Sequence, residues 1–140
     1  MWNLFKRRRQ GEAAHLRTGQ WGEAVAEQFL RRQGLHVLAR RWRVKKDELD
    51  LVVRDGETLV FVEVKTRASE LMGRPFAAVD RTKRRAIGRA ALRYMQRLKH
   101  KPPTFRFDVV EVIGTEAAGS PEVRHLANAF SLPASVRVPW

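Results

Sequence analysis

The stretch that most constrains this chain is Asp47–Arg67, DELDLVVRDGETLVFVEVKTR, where apolar and charged residues alternate at the two-residue period of a β-strand. Asp55-Gly56 interrupts it near the middle. A two-residue type I′ loop needs φ > 0 at both central positions, which glycine adopts freely and aspartate tolerates, so this pair predicts a hairpin turn. The register follows. Arg54 faces Glu57, Leu51 faces Val60, Asp50 faces Phe61, Leu49 faces Val62 and Glu48 faces Glu63. Leu49, Leu51, Val53, Val60, Val62 and Val64 then form one apolar face, and Glu48, Asp50, Glu63 and Lys65 gather on the other.

In this register Asp50 and Glu63 are diagonal neighbours, roughly 7–8 Å apart at the backbone and able to reach one cation between them. Like charges directly opposite each other destabilise a sheet, so Glu48 against Glu63 is a conflict that stability alone would not select. A divalent metal resolves it. Two carboxylates, with water and substrate phosphate completing the shell, are ligands that Mg²⁺ takes in phosphoryl-transfer sites. A solvated polar face with Lys65 as counter-charge has the same spacing, and the spacing leaves both readings open.

Charge narrows the partner. The 140 residues carry 28 Lys and Arg against 15 Asp and Glu, a net +13, which predicts a polyanion such as nucleic acid or an acidic membrane surface. Absence of cysteine excludes disulfides and thiolate metal sites and suits a cytoplasmic setting. No run of about 18 apolar residues is present, so no membrane span is expected. The length fits one domain.

Residues 1–17 read as a basic, flexible arm, in which Lys6 to Arg9 touch phosphates or Trp2, Leu4 and Phe5 form a weak interfacial anchor. The domain proper is expected over 18–130, with 131–140 as an irregular tail. From Thr18, a candidate N-cap, to Gln33, the spacing of Trp21, Val25, Ala26, Phe29 and Leu30 predicts the first core helix, stopped by Gly34. Glu23 falls at the edge of its apolar arc, where an ordinary boundary glutamate also sits. Leu35–Val44 reads as a strand or extended segment. Arg40, Arg41, Arg43, Lys45 and Lys46 crowd its end, and Trp42 is expected in the core.

Ala68 to Asp80 reads as a loop around Met72-Gly73-Arg74-Pro75. Arg81–Lys101 is the second helix, with Ala86, Ile87, Ala90, Ala91, Tyr94, Met95 and Leu98 facing the core and Pro102-Pro103 ending it. Ten Lys or Arg and no acidic residue lie between Arg81 and Phe107. Arg85, Arg89, Arg93 and Arg97 recur every fourth position, a stripe that repels itself and suits phosphates better than packing. Lys83, on the apolar side of the first turn, and Arg84 extend this set, and Lys83 is a candidate phosphate contact. Phe105–Ile113 alternates as a strand, and its connection from the Lys65 strand predicts a parallel crossover and a mixed sheet. Asp108 is expected to partner Arg106, and Val123–Phe130 to add an edge strand.

Asp50, twelve residues, then Glu63-Val64-Lys65 resembles the D…ExK signature of the PD-(D/E)xK nuclease superfamily. With GQWGEAVAEQFL from Gly19, ELDLVV from Glu48, LVFVEVKTR from Leu59 and RFDVVEV from Arg106, the chain resembles the YraN family of small bacterial proteins, themselves similar to archaeal Holliday-junction resolvases. The resemblance spans about Thr18 to Ile113. It implies an α/β, restriction-endonuclease-like fold with a central mixed β-sheet flanked by helices, and Glu23, Asp50, Glu63 and Lys65 as the catalytic set. The family usually reads GEIDL where this chain has Asp47-Glu48-Leu49-Asp50-Leu51, and Asp47 adds a negative charge near the proposed metal.

The function this implies is a metal-dependent endonuclease hydrolysing DNA phosphodiesters, branched or junction DNA included. Asp50 and Glu63, assisted by Glu23, would hold Mg²⁺ or Mn²⁺. Lys83, Arg84, Arg85, Arg89, Arg93, Arg97, Arg43, Lys45 and Lys46 would bind the nucleic acid. Symmetric junction cutting needs two sites and therefore a homodimer, although no segment declares an interface. The alternative is a non-catalytic nucleic-acid-binding module with the same fold.

Overall fold

The elements run α1 (Trp2–Arg32), β1 (His36–Val44), β2 (Asp47–Asp55), β3 (Thr58–Arg67), α2 (Arg81–Gln96), β4 (Thr104–Ile113) and β5 (Glu122–Phe130). The computed structural model describes residues 2–69 and 79–140. The expected loop about Met72–Pro75 lies outside the described residues, as do the side chains of Trp2, Leu4, Phe5, Lys6 and Arg8. The five strands form one sheet in sequence order, with β3 and β4 parallel and the other pairs antiparallel. The mixed sheet and its parallel β3–β4 step are as expected.

Both faces of the sheet are covered. Ala26 and Leu30 of α1 pack on Leu51, Val53, Val60, Val62, Val110 and Val112. On the other side Ile87, Ala90, Ala91 and Met95 of α2 pack on Leu49, Val52, Leu59, Phe61, Phe107 and Val109. A hairpin buried on both sides has no wholly polar face, which corrects the single apolar face expected of β2 and β3.

The turn also differs. Asp55 pairs with Thr58, so the loop residues are Gly56 and Glu57, and Leu51 faces Val62 rather than Val60. Only Gly56 has positive φ, +59°, which fits the type II′ pattern rather than I′. Asp55 stays in the strand, where its carboxylate accepts from Arg106 Nη1 of β4 at 3.0 Å. The two-residue slip leaves each side chain on its face but removes the Glu48–Glu63 opposition: Glu48 lies across from Arg43 of β1, whose Nε donates to Glu48 Oε2 at 2.9 Å.

α1 begins well before Thr18. Thr18 is inside the helix, its hydroxyl donating to the Ala14 carbonyl at 3.0 Å instead of capping. The expected arm is therefore helical, and exposed wherever its side chains are described, which a sequence reading based on an apolar face does not detect. Gly34, at φ +87°, ends α1 as expected, with Gly34 N–H bonding Arg31 O and Leu35 N–H bonding Leu30 O. α2 starts at the Asp80 N-cap and ends at Gln96, short of the prolines. Lys101 Nζ donates to the carbonyls of Met95, Gln96 and Leu98 there, satisfying its last turn.

Candidate functional site

Strand alternation breaks at one level of the sheet, and the carboxylates meet there. Leu51 packs under α1 while Leu49, two residues away, packs under α2, so β2 reverses phase at Asp50. β1 reverses at the same level: Arg40 opposes Leu51, Trp42 opposes Leu49, and Arg41 between them has φ +44°. The β2–β3 ladder reaches Leu51–Val62, beyond which Asp50 Oδ2 accepts from the Val64 N–H at 2.9 Å. A side chain thus fills the place of a ladder bond, and Asp50 points into the split between the two strands.

Glu63, 4% exposed, lies across that split, and its carboxylate both hydrogen-bonds and repels Asp50. Burial, reinforced by the Glu63 charge, pushes the Asp50 carboxyl up to about 7, against the pull of the Val64 N–H and Lys83. Glu63 Oε1 has two ammonium groups beside it, Lys65 Nζ at 3.5 Å and Lys83 Nζ at 3.6 Å. Lys83 arrives from the first turn of α2, where its N–H donates to Asp80 Oδ1 at 2.8 Å. The structure therefore brings together three of the expected residues, Asp50, Glu63 and Lys65, and adds Lys83.

Glu23 reaches the same level from α1. Its Oε2 accepts from Arg41 Nε at 2.6 Å, while burial raises its pKa and Asp50 and Glu48 add to that rise against Arg41. α1 can approach this closely because residue 22 is glycine: an added Cβ would fall on the Thr66 side chain of β3. Among the described residues, Glu23, Asp50 and Glu63 do not form a ready-made cluster of three metal ligands.

The arginine stripe of α2 meets partners that its own sequence does not contain. Asp47, 5% exposed, accepts from Arg89 Nε and Nη2 at 3.0 and 2.9 Å, with Arg93 Nη1 at 3.5 Å. Arg89 holds the Asp47 carboxyl below its usual range. Arg97 lies over the Trp42 ring, 5.1 Å from its centroid, and Arg84 over Phe130 at 5.5 Å while its Nε donates to Val79 O. The expectation that the stripe suits phosphates better than packing is corrected for Arg89, Arg93 and Arg97, and Arg84 beside it is likewise engaged. The charge that Asp47 adds is taken up by α2, on the side away from α1.

Arg85, Arg43, Lys45 and Lys46 are exposed, the lysines in the two-residue β1–β2 turn. Trp42 packs in the core beside Tyr94, as expected. Asp108 is fully buried. Its pKa is lowered despite burial because Arg106, His125 Nε2 at 2.7 Å and the Asn128 N–H at 2.9 Å all serve it. Its pairing with Arg106 is the one expected. His125 and Arg41 are the partners that sequence spacing missed, and no periodic signal marks either.

Fold and site together define a small α/β protein with a five-stranded mixed sheet, in which the buried Glu63 and the half-buried Asp50 meet at a strand split against two lysines. The chain belongs to the uncharacterised protein family UPF0102, whose model matches residues 22–112 and so takes in Glu23, Asp50, Glu63, Lys65 and Lys83. This agrees with the YraN resemblance. A UPF0102 protein of Geotalea daltonii is 42% identical over 127 residues, covering 89% of this chain and 98% of the relative. One from Beutenbergia cavernae is 48% identical over 108 residues, 77% and 91% of the two chains, and one from Geobacter metallireducens 40% over 114, 81% and 92%. No described helix is long and apolar enough to cross a membrane.

Proposed function

We propose that this protein is a metal-dependent endonuclease of the PD-(D/E)xK type, with a restriction-endonuclease-like fold, that hydrolyses phosphodiester bonds in DNA, branched or junction DNA being its substrate class. The observation that carries the reading is the Asp50–Glu63 pair, a half-buried and a buried carboxyl held together at a strand split with Lys65 and Lys83 beside them. Such a pair costs stability, and perturbed groups of this kind concentrate at functional sites.

The residues fit Mg²⁺ or Mn²⁺. Asp50 and Glu63 offer hard oxygen ligands and repel each other as anions, a strain that a divalent cation relieves. Asp50 and Glu63 would hold the cation, which would supply a Lewis acid to acidify water and offset charge on the phosphoryl oxygens. The chain's own part begins with Asp50, which must lose its proton before the pair can act as a ligand set. Lys65 Nζ, held by Glu63, would orient the attacking water. Lys83, at the N-terminal turn of α2, presents its charge to the scissile phosphate as negative charge builds up. The exposed Arg85, Arg43, Lys45 and Lys46 would track the flanking backbone. A homodimer in the cytoplasm would supply the two sites that symmetric junction cutting needs.

The competing reading, a non-catalytic nucleic-acid-binding module, draws on Glu63 already having two ammonium counter-ions. Labelled single-stranded, duplex, flap and four-way-junction DNA incubated with Mg²⁺ or Mn²⁺ separates the two. Cutting that excess chelator stops is expected of the nuclease. Salt-sensitive binding with no cutting of any substrate would favour the module.

A further inference from the structure

Arg41 sits where two oddities coincide. Successive strand residues point to opposite faces, yet Arg40 and Arg41 both reach α1, Arg40 pairing with Glu27 and Arg41 with Glu23. The left-handed backbone at Arg41, φ +44°, is what turns its side chain to that face. A bulky non-glycine residue in this conformation costs on the order of 1 kcal/mol, and such strain gathers at functional positions. The opposing strand makes the matching reversal at Asp50, so the strain is built into the level that carries the carboxylates.

The Arg41 side chain is 39% exposed and that of Glu23 21%, so the ion pair closes the α1 side of the site without being sealed in it. The other groups around it are committed: Glu48 to Arg43, Glu27 to Arg40 and Arg31, and Glu63 to Lys65 and Lys83. Arg41 is exposed enough to swing into solvent, as are Arg40, Arg31 and Arg43; what sets Glu23 apart from Glu27 is that the Asp50 charge repels it.

We propose that Arg41 is an exchangeable counter-cation: it holds Glu23 away from Asp50 and Glu63 in the metal-free protein and yields it to a divalent cation as the third carboxylate. This rests on the nuclease reading for the identity of the site, and it adds a residue and a step. In the metal-free state the ion pair keeps three buried or half-buried carboxylates from meeting. On loading, Glu23 changes partner and the guanidinium moves outward. The metal therefore competes with an internal cation, and its affinity is set below what three carboxylates would give.

Mn²⁺ titration followed by electron paramagnetic resonance tests this without any turnover. Arg41→Asn is the informative variant, since asparagine tolerates the left-handed backbone and carries no charge. It is expected to bind Mn²⁺ about three- to tenfold more tightly than the natural protein, the worth of a partly buried ion pair. Arg41→Lys, which keeps a cation, is expected to stay within about twofold of the natural protein. Glu23→Gln is expected to bind more weakly, and Glu23→Gln/Arg41→Asn to match Glu23→Gln, with no gain left.

Unchanged or weaker binding by Arg41→Asn, with the metal-free thermal midpoint kept, would overturn the exchange alone, as would a gain that persists in the double variant. If the natural protein bound no Mn²⁺, or bound it undiminished after Glu63→Gln, the exchange and the metal-site reading would fall together.

Discussion

Asp50→Asn should make the protein more stable, and increasingly so as pH rises. The Asp50 carboxyl lies at about 7 in the folded chain against an ordinary 3.8, raised by burial and by Glu63. Between those values the native state binds more protons than the unfolded one, so stability falls as pH rises through the window, and the loss is complete above about 7. A rise of roughly three units, at about 1.4 kcal/mol each, is on the order of 4 kcal/mol at pH 8 and about 1.7 kcal/mol at pH 5. Asparagine cannot ionise. It can still accept from the Val64 N–H, and its amide can donate to Glu63 as a protonated Asp50 does. Urea unfolding at pH 5, 6, 7 and 8 without divalent metal should give a variant whose advantage grows by about 2–3 kcal/mol across the series. An advantage that is flat, or that shrinks with pH, would refute the buried-pair account of Asp50.

Other consequences are as specific. Glycine to alanine inside an open helix gains about 1 kcal/mol, but Gly22→Ala should lose about 1–3 kcal/mol because its Cβ meets Thr66. Gly19→Ala, with nothing within 4 Å, should gain, and Thr66→Ala should rescue most of the Gly22→Ala loss in thermal melts. Asp47→Asn should lower the thermal midpoint. Because Arg89 depresses the Asp47 pKa, the stability it contributes is present above 3.8 and fades as pH falls through the folded value, so the variant should cost more at pH 6 than at pH 3. In cleavage assays at subsaturating Mg²⁺, activity should fall as pH drops below about 7, since Asp50 of the metal-free protein must lose its proton to take up the ion, and saturating Mg²⁺ should move that fall to lower pH. Activity at subsaturating Mg²⁺ that holds level down to pH 5 would contradict that assignment.

The sequence announced strands through their two-residue period and helices through apolar arcs, and those elements stand where burial follows the pattern. Ala26, Leu30, Ile87, Ala90 and Met95 are all buried as their spacing requires. Departures come where tertiary contacts decide. Asp55 could have been a turn residue, but its ion pair with Arg106, fifty-one positions away, keeps it in the strand and moves the loop to Gly56-Glu57. Among its described side chains, the first half of α1 has no buried face to signal a helix. Asp47 looked like a charge added near a metal, yet it anchors α2 through Arg89, a pairing across forty-two positions that no local pattern encodes, and through Arg93 a turn further on.

At the site, spacing put Asp50, Glu63 and Lys65 on one face but left a solvated polar face open as a reading, and it was the resemblance to the nuclease superfamily that singled them out. Their geometry was not legible. Alternation assumes a regular strand, and the reversals at Asp50 and Arg41 are what draw the carboxylates into the split. Lys83 was singled out by its angle on α2, and the structure gives that angle a partner in Glu63. Arg41 lay hidden among five basic residues, since left-handed backbone at an arginine has no signature in sequence.

The central claim is that Asp50 and Glu63 hold a metal for phosphodiester hydrolysis. It is tested most directly by cleavage of a labelled four-way junction with Mg²⁺, comparing the natural protein with Glu63→Ala and Lys65→Ala. Cutting by the natural protein and none by either variant is expected, with junction binding retained by both. Cutting that survives Glu63→Ala would contradict the claim, and so would a natural protein that binds the junction and never cuts it.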